Sequence, residues 1–366
     1  MASSVEQSLI EEYRRHQPSY KDLASTVSDL LAKILAEQGV SLHSVTHRVK
    51  DEASLAKKLS RPGRPYQTLT DLTDLAGVRV TTYFHDHVDL VATVVEQEFA
   101  VDRKNSVDKR GLLDPDRFGY LSLHYVVELS PQRCSLPEYK RFKGLKVEIQ
   151  VRSLLQHVWA EVEHDLGYKS SQSVPSTIRR RFARLAGLLE LADAEFAAIR
   201  DALTAYEKEV PALIASAPAS VPIDKASLTA FENESDLVTK LDALIGSFVG
   251  ARIVIPDNPQ WIEQDLGHLS FIGIASIGAL EEALREDQTD IERFARVWFE
   301  GAKHETLYRG ISIFYLTYVR LARQRDSRWI FDWADKFGVG SEKERAALGD
   351  RVLAAAAKAG IIETAG

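Results

Sequence analysis

The chain has 366 residues, 45% of them hydrophobic and 27% charged, with a formal net charge of −7. This length exceeds one typical domain, so two are expected, and the composition is that of an ordinary globular protein. A single cysteine, Cys134, excludes an internal disulfide framework and a cysteine-based zinc cluster; the acidic balance argues against a broad nucleic-acid-coating surface but leaves room for a local basic pocket.

Residues 5–38 read as two helices broken near Gln17-Pro18, the second carrying an apolar stripe of Leu30, Leu31, Ile34 and Leu35. Ser44–Val49 reads as a strand, Ser54–Leu59 as a short helix and Ala76–Phe84 as a strand. Asp86 then opens an amphipathic helix to Phe99, with Val88, Val91, Val94 and Val95 inward. A short strand near Val101 leads into a charged loop ending at Gly119, and Leu123–Leu129 is a further strand. Pro175–Glu209 reads as one or two long helices. The small, proline-dotted run from Pro211 to Pro222 resists helix and core alike and is assigned to a linker. Beyond it, helical spacing returns in Leu280, Ala283 and Leu284, in Ile291, Phe294 and Trp298, and in Ile311, Phe314, Tyr315 and Tyr318. The expected organisation is residues 1–210 as an α+β domain, 211–227 as linker and 228–366 as an α-rich domain.

The most informative stretch is Lys146-Val-Glu-Ile-Gln-Val-Arg152, which alternates with period two before running into a helix. Val147, Ile149 and Val151 share one face; Lys146, Glu148, Gln150 and Arg152 share the other. Such a face suits either plain solvent or a charged ligand. Three more clusters raise the same choice. Arg48, Lys50, Ser54, Lys57 and Lys58 place cations beside a helix start, which is either a solvated amphipathic surface or a polyphosphate cradle. Asp74-Leu-Ala-Gly-Val-Arg79 puts a carboxylate just before a strand. It is either a capping residue or, with Glu148, one of two carboxylates for Mg²⁺. Phe118-Gly-Tyr-Leu-Ser-Leu-His124 offers a flat ring after a glycine, either an ordinary loop tyrosine or a platform for a base.

Taken together, these four motifs, in this order, resemble the synthetase domain of RelA/SpoT homologues, the enzymes that make the alarmones (p)ppGpp. The resemblance covers roughly residues 20–200 and continues through Trp159-Ala-x-x-Glu-His164 and Tyr168-Lys169. It implies a nucleotidyltransferase-like mixed β-sheet flanked by helices, followed here by a second, mainly α-helical C-terminal domain. It also implies Mg²⁺-dependent transfer of pyrophosphate from ATP to the 3′-hydroxyl of GDP or GTP. On that resemblance Arg48 and Arg79 would sandwich the adenine, and Lys50, Ser54 and Lys58 would hold the ATP phosphates. Asp74 and Glu148 would bind Mg²⁺, with Glu148 taking the proton of the attacking hydroxyl. Tyr120 would stack on guanine, and His124, Gln150 and His157 would border the acceptor.

The chain also departs from the pattern. Leu121 stands where many relatives have a polar or basic residue, and no His-Asp hydrolase domain precedes the synthetase, so alarmone hydrolysis is not expected. His85-Asp86-His87 looks metal-like but falls at a helix start, where an N-capping Asp with surface histidines accounts for it. Arg179–Arg181 and Arg184 are either a solvated helical face or an RNA contact, and Trp261, Trp298, Trp329 and Trp333 are read as core or interface residues.

The leading expectation is therefore a synthetase-only alarmone enzyme. A runner-up is a toxin-like pyrophosphokinase acting on the 3′ end of tRNA and restrained by its C-terminal domain, as in toxin–antitoxin or phage-defence systems. A third reading is a nucleotide-binding regulator without turnover. Partners beyond the nucleotides would be tRNA, a second copy of the chain, or a protein trigger of the C-terminal domain. Residues 1–6 lack a charged segment followed by an apolar core, and apolar runs fall short of the about 20 residues a membrane span needs. A cytoplasmic location, with no membrane partner, is the expectation.

Overall fold

A computed structural model describes residues 4–61, 66–108, 122–168, 175–255 and 260–363. The chain divides between Asp201 and Ala202 into two compact units. In the first, α1 (Ser4–Glu37) is one helix with Pro18 inside it, not two. Proline costs a helix a hydrogen bond and crowds the preceding turn. Here Leu9, Tyr13, Leu23, Val27 and Leu31 are buried on both sides of the proline, and this packing outweighs the local break.

β1 (Leu42–Val49), α2 (Glu52–Leu59), β2 (Ala76–Thr82), α3 (His87–Glu98), β3 (Phe99–Val101) and β4 (Val107–Asp108) follow. β5 (Leu123–Leu129), the single-turn α4 (Pro131–Cys134), β6 (Val147–Ser153), α5 (Leu154–Tyr168) and α6 (Ser176–Ser216) come next. The strands form one mixed sheet of order β1-β2-β6-β5-β3, with β4 also on β5. β2 and β6 are parallel and the other pairs antiparallel. Val80, Ile149 and Val151 are fully buried with Val91 and Val95 of α3 and Leu31 and Leu35 of α1 in one core. The intervening Arg79, Glu148 and Gln150 stay half-buried on the opposite face. The period-two alternation thus separates a core face from a polar face, as the strand sequences require.

Two local starts differ from expectation. α2 begins at Glu52, not Ser54, because Asp51 caps it by accepting from the Ser54 amide at 2.8 Å. Ser54 therefore sits in the first turn, and Lys57 and Lys58 in the last. Asp86 makes no side-chain cap to α3. Its carboxylate instead accepts two bonds from Arg200 of α6, at 3.0 and 2.7 Å, and that guanidinium holds its carboxyl below the usual range.

The second unit holds the end of α6, where Val210 is buried, and then α7 (Lys225–Glu234), α8 (Asp236–Val249), β7 (Arg252–Val254), α9 (Gln260–Phe271), α10 (Ile277–Glu286), α11 (Gln288–Trp298), β8 (Thr306–Tyr308), α12 (Ile311–Ala322), α13 (Ser327–Phe337) and α14 (Glu342–Lys358). Residues 211–216, assigned to a linker by composition, are helical, with Pro211 inside α6. β7 and β8 pair in parallel, an addition that the helical periodicity did not signal. Leu228, Ile245, Leu280, Phe294, Leu316 and Trp333 anchor a separate core. Buried Asp242 of α8 caps α12 by accepting from the Gly310 and Ser312 amides at 2.9 Å each and from the Ser312 hydroxyl at 2.6 Å. Gly310 has φ 88°, a left-handed conformation that glycine adopts without steric cost.

Candidate active site

The sheet register brings Arg48, Arg79, His124, Glu148 and Gln150 of the expected residues together. Across the strands, Arg48 of β1 faces Gly77 of β2, which faces Glu148 of β6. One pleat along, Thr46, Arg79, Gln150 and His124 form the next row. Residues opposite each other share a sheet face, so sites separated by up to about a hundred positions in the chain become neighbours. A methyl group at Gly77 would sit 3.7 Å from the Arg48 Cγ, so the arginine stem lies across the glycine. Arg48, Asp74, Gly77, Arg79, Glu148 and Gln150, with Thr46 and His47, line one cleft of about 100 Å³.

Each carboxylate of that cleft already holds a partner. Asp74 receives Lys50 at 2.9 Å and Lys58 at 2.8 Å. Burial pushes its carboxyl up, but the hydrogen bonds and charges of Lys58 and Lys50 prevail and leave it below the usual carboxylate range. Lys50 follows strand β1, its amide donates to the Leu75 carbonyl at 2.9 Å and its carbonyl accepts the Tyr13 hydroxyl at 2.5 Å; Lys58 is placed by α2. Glu148 is 2.8 Å from His124 Nδ1, while His124 Nε2 is 2.8 Å from the Ser122 hydroxyl. The histidine therefore ties the β6 carboxylate to β5.

A second knot lies where β6 hands over to α5. The Glu161 Oε1 atom lies 3.1 Å from Arg79 Nη1, 3.3 Å from Arg152 Nη2 and 3.6 Å from His157 Nδ1. Arg152, expected on the open polar face, is buried. Desolvation, reinforced by Arg152 and Arg79, lowers the His157 pKa, which favours its neutral form. Glu161 was not singled out from the sequence. The signal was its position four residues after His157 on a helix that starts from the cationic strand. At the other end of β6, Lys146 pairs with Asp102 at 2.8 Å, away from the cleft, and that contact holds the Asp102 carboxyl at about 2.

Tyr120 lies outside the described residues, as do Lys109, Arg110 and Arg117 of its loop. Ser54 is exposed, with its amide taken by Asp51, so the free helix N-terminus expected there is already occupied by a carboxylate. Among the described residues no group of three or more His, Cys, Asp or Glu side chains is arranged for a metal. Two carboxylates on one cleft still fit Mg²⁺, which is usually held by one or two carboxylates together with substrate phosphates and water.

Comparison with known proteins identifies the family. The model of the region found in RelA / SpoT proteins matches residues 47–173, which hold every expected site residue. GTP pyrophosphokinase YjbM of Bacillus subtilis is 34% identical over 157 residues, 43% of this chain and 71% of that protein. The chain belongs to the RelA/SpoT family. A second family member, GTP pyrophosphokinase YwaC of the same organism, is 29% identical over 156 residues, 42% of this chain and 71% of its own length. Among solved structures, small alarmone synthetase 1 from B. subtilis superposes with a TM-score of 0.44 at 27% identity, covering 53% of this chain and 98% of its own. The same enzyme bound to its product pppGpp gives 0.44 at 26%, covering 53% and 99%. The RelA/SpoT match ends before the second unit, which begins at Ala202.

Proposed function

We propose that this protein transfers pyrophosphate from ATP to the 3′-hydroxyl of GDP or GTP, making (p)ppGpp. The observation that carries the reading is the single cleft on which Asp74, Glu148, Arg48, Arg79 and Gln150 converge, with Lys50 and Lys58 on the Asp74 carboxylate. Names of relatives support the reaction class: the two B. subtilis proteins are GTP pyrophosphokinases.

In this reading Arg48 and Arg79 grip the adenine through their planar guanidinium groups. Lys50 and Lys58 turn from Asp74 to the ATP phosphates, with Ser54 beside them. Asp74 and Glu148 would hold Mg²⁺, which, when bound, neutralises charge on the phosphates. Glu148 accepts the proton of the attacking 3′-hydroxyl. His124, already on its carboxylate at 2.8 Å, fixes the orientation of that base. Gln150 and His157 border the acceptor, and Tyr120 stacks on its base. In-line transfer of this kind gains most from positioning and charge neutralisation, which a set of fixed cations supplies.

A second acceptor, the 3′ end of tRNA, is favoured by one observation: Arg179, Arg180, Arg181 and Arg184 are all exposed on α6. The second unit would then act as a restraint. One assay separates the acceptors. The full chain is incubated with Mg²⁺ and ATP labelled in its β and γ phosphates, and offered GDP, GTP or deacylated tRNA in parallel. Label on the guanosine nucleotide is expected. Label on tRNA alone would replace the first reading with the second, and label on neither would leave a nucleotide-binding regulator.

A further inference from the structure

The second unit contains a cleft of about 490 Å³ that owes nothing to the synthetase site. Its walls come from α9, β8, the start of α12 and the end of α13, and its rings are Trp261, Tyr308, Phe314 and Phe337. Trp261 and Tyr308 are in contact, with ring centroids 4.5 Å apart, yet each remains about 40% exposed. Two large aromatic side chains left partly open at a cleft are a surface for a flat or apolar body.

The polar groups in the cleft are unusual for an apolar core. Asp265 and His268, three residues apart on α9, are both buried and both line it. His268 is 2% exposed, and neither of its ring nitrogens has a hydrogen-bond partner among the described residues; Nδ1 comes only to 3.4 Å from Asp265. Phe314, Trp333 and Phe337 surround the imidazole, with ring centroids 5.0–5.6 Å away. Glu232 is buried nearby, and its Oε1 is likewise unpartnered among the described residues. Asp242 is spent on capping α12. Arg309 is the cation that lines the cleft. It donates to the carbonyls of Glu232 and Asn233 and to the Thr239 hydroxyl, at 2.6, 3.3 and 2.7 Å. The floor therefore has surplus acceptors and a cation already committed elsewhere.

Burying polar groups without partners costs free energy, and such sites persist where a ligand completes them. An anion would meet the Asp265 carboxylate, and the guanidinium in the lining, Arg309, is already bonded to Glu232, Asn233 and Thr239. A bare metal ion would find only two His, Cys, Asp or Glu side chains among the described residues of the lining, Asp265 and His268, and would leave the aromatic wall unused. An organic cation satisfies both halves of the cleft, its charge on the carboxylate and its body on the rings. We propose that this cleft is a binding site for a small organic cation, an amine or amidine on a flat apolar body, with Asp265 as counter-charge and Trp261 and Tyr308 as the stacking wall.

Calorimetric titration of the full chain with three indoles of one shape tests this: tryptamine (cationic), tryptophol (neutral) and indole-3-acetate (anionic). Tryptamine is expected to bind with one site per chain, and tryptophol roughly tenfold or more weakly. Asp265→Asn should abolish the preference for tryptamine over tryptophol, and Trp261→Ala, at an exposed position, should weaken both. Circular dichroism checks that each variant is folded. Equal affinity for the three indoles, stronger binding of the acetate, no binding at all, or tryptamine binding unchanged in Trp261→Ala would each overturn the proposal.

Discussion

Asp74 holds two ammonium groups at 2.9 and 2.8 Å, so one carboxylate balances only half of the charge that meets it. A triphosphate entering the cleft would offer Lys50 and Lys58 a richer set of acceptors and release Asp74 for a divalent ion. Asp74→Asn separates these two duties. The variant keeps both lysines, so its affinity for ATP without metal should change by no more than a few fold. Nucleotide-dependent Mn²⁺ binding, followed by electron paramagnetic resonance, should be lost. Retained Mn²⁺ binding would remove Asp74 from the metal site. Glu148 would carry a different burden in the proposed reaction, where its contact with His124 would orient it as the base. Glu148→Gln keeps the shape and one acceptor oxygen but cannot take a proton. Transfer should fall by about 10²–10⁴-fold, with the thermal midpoint changed little. Wild-type turnover in Glu148→Gln would end its assignment as the base.

At the scale of elements, the N-terminus of α12 is held by a residue from α8. Asp242 is fully buried and serves two amides and one hydroxyl. Asp242→Ala would strand all three donors in the core, at a cost of roughly 2–4 kcal/mol. Urea unfolding followed by tryptophan emission should show the loss in the second unit. Nothing near Asp242 in the sequence announces this, since its partners lie 68 and 70 residues away. The same distinction explains which features were legible. β6 could be read from its own alternation, because the core face and the polar face are set by neighbours two residues apart. The break expected at Pro18 failed because α1 is decided by the sheet beneath it, and the linker expected at Pro211 became helix with Val210 buried beside it. Among the site residues, Arg48, Asp74, Arg79, Glu148 and Gln150 were legible as motifs, and the register brings them onto one cleft. Glu161 was not, because its importance depends on three cationic or imidazole groups that converge only after folding.

At the scale of the whole molecule, one carboxyl in each unit couples stability to pH, and the two do so with opposite sign. In the first unit the Asp74 carboxyl lies below its ordinary value, despite burial, because of Lys58 and Lys50. Its contribution is complete above the unfolded pKa near 3.8 and is lost as pH falls through the lower folded value. In the second unit burial, aided by Asp265 and Asp242, pushes the Glu232 carboxyl up to about 9. There the folded chain keeps a proton that the unfolded chain gives up above 4.5, so stability declines as pH rises from 4.5 towards 9. Burial also raises the Tyr315 and Tyr318 hydroxyls, which adds the same sign at still higher pH. Four of the five tryptophans, Trp261, Trp298, Trp329 and Trp333, belong to the second unit and report on it. Between pH 6 and pH 9 their urea transition should therefore move to lower denaturant, while acid below pH 4 should weaken the first unit. Glu232→Gln supplies the control, since a neutral amide of the same shape has no proton to lose. At pH 9 it should stabilise the second unit by about 1–3 kcal/mol and flatten most of its alkaline decline. If the variant declines as steeply as the parent, the buried carboxyl is not the group that couples this core to pH.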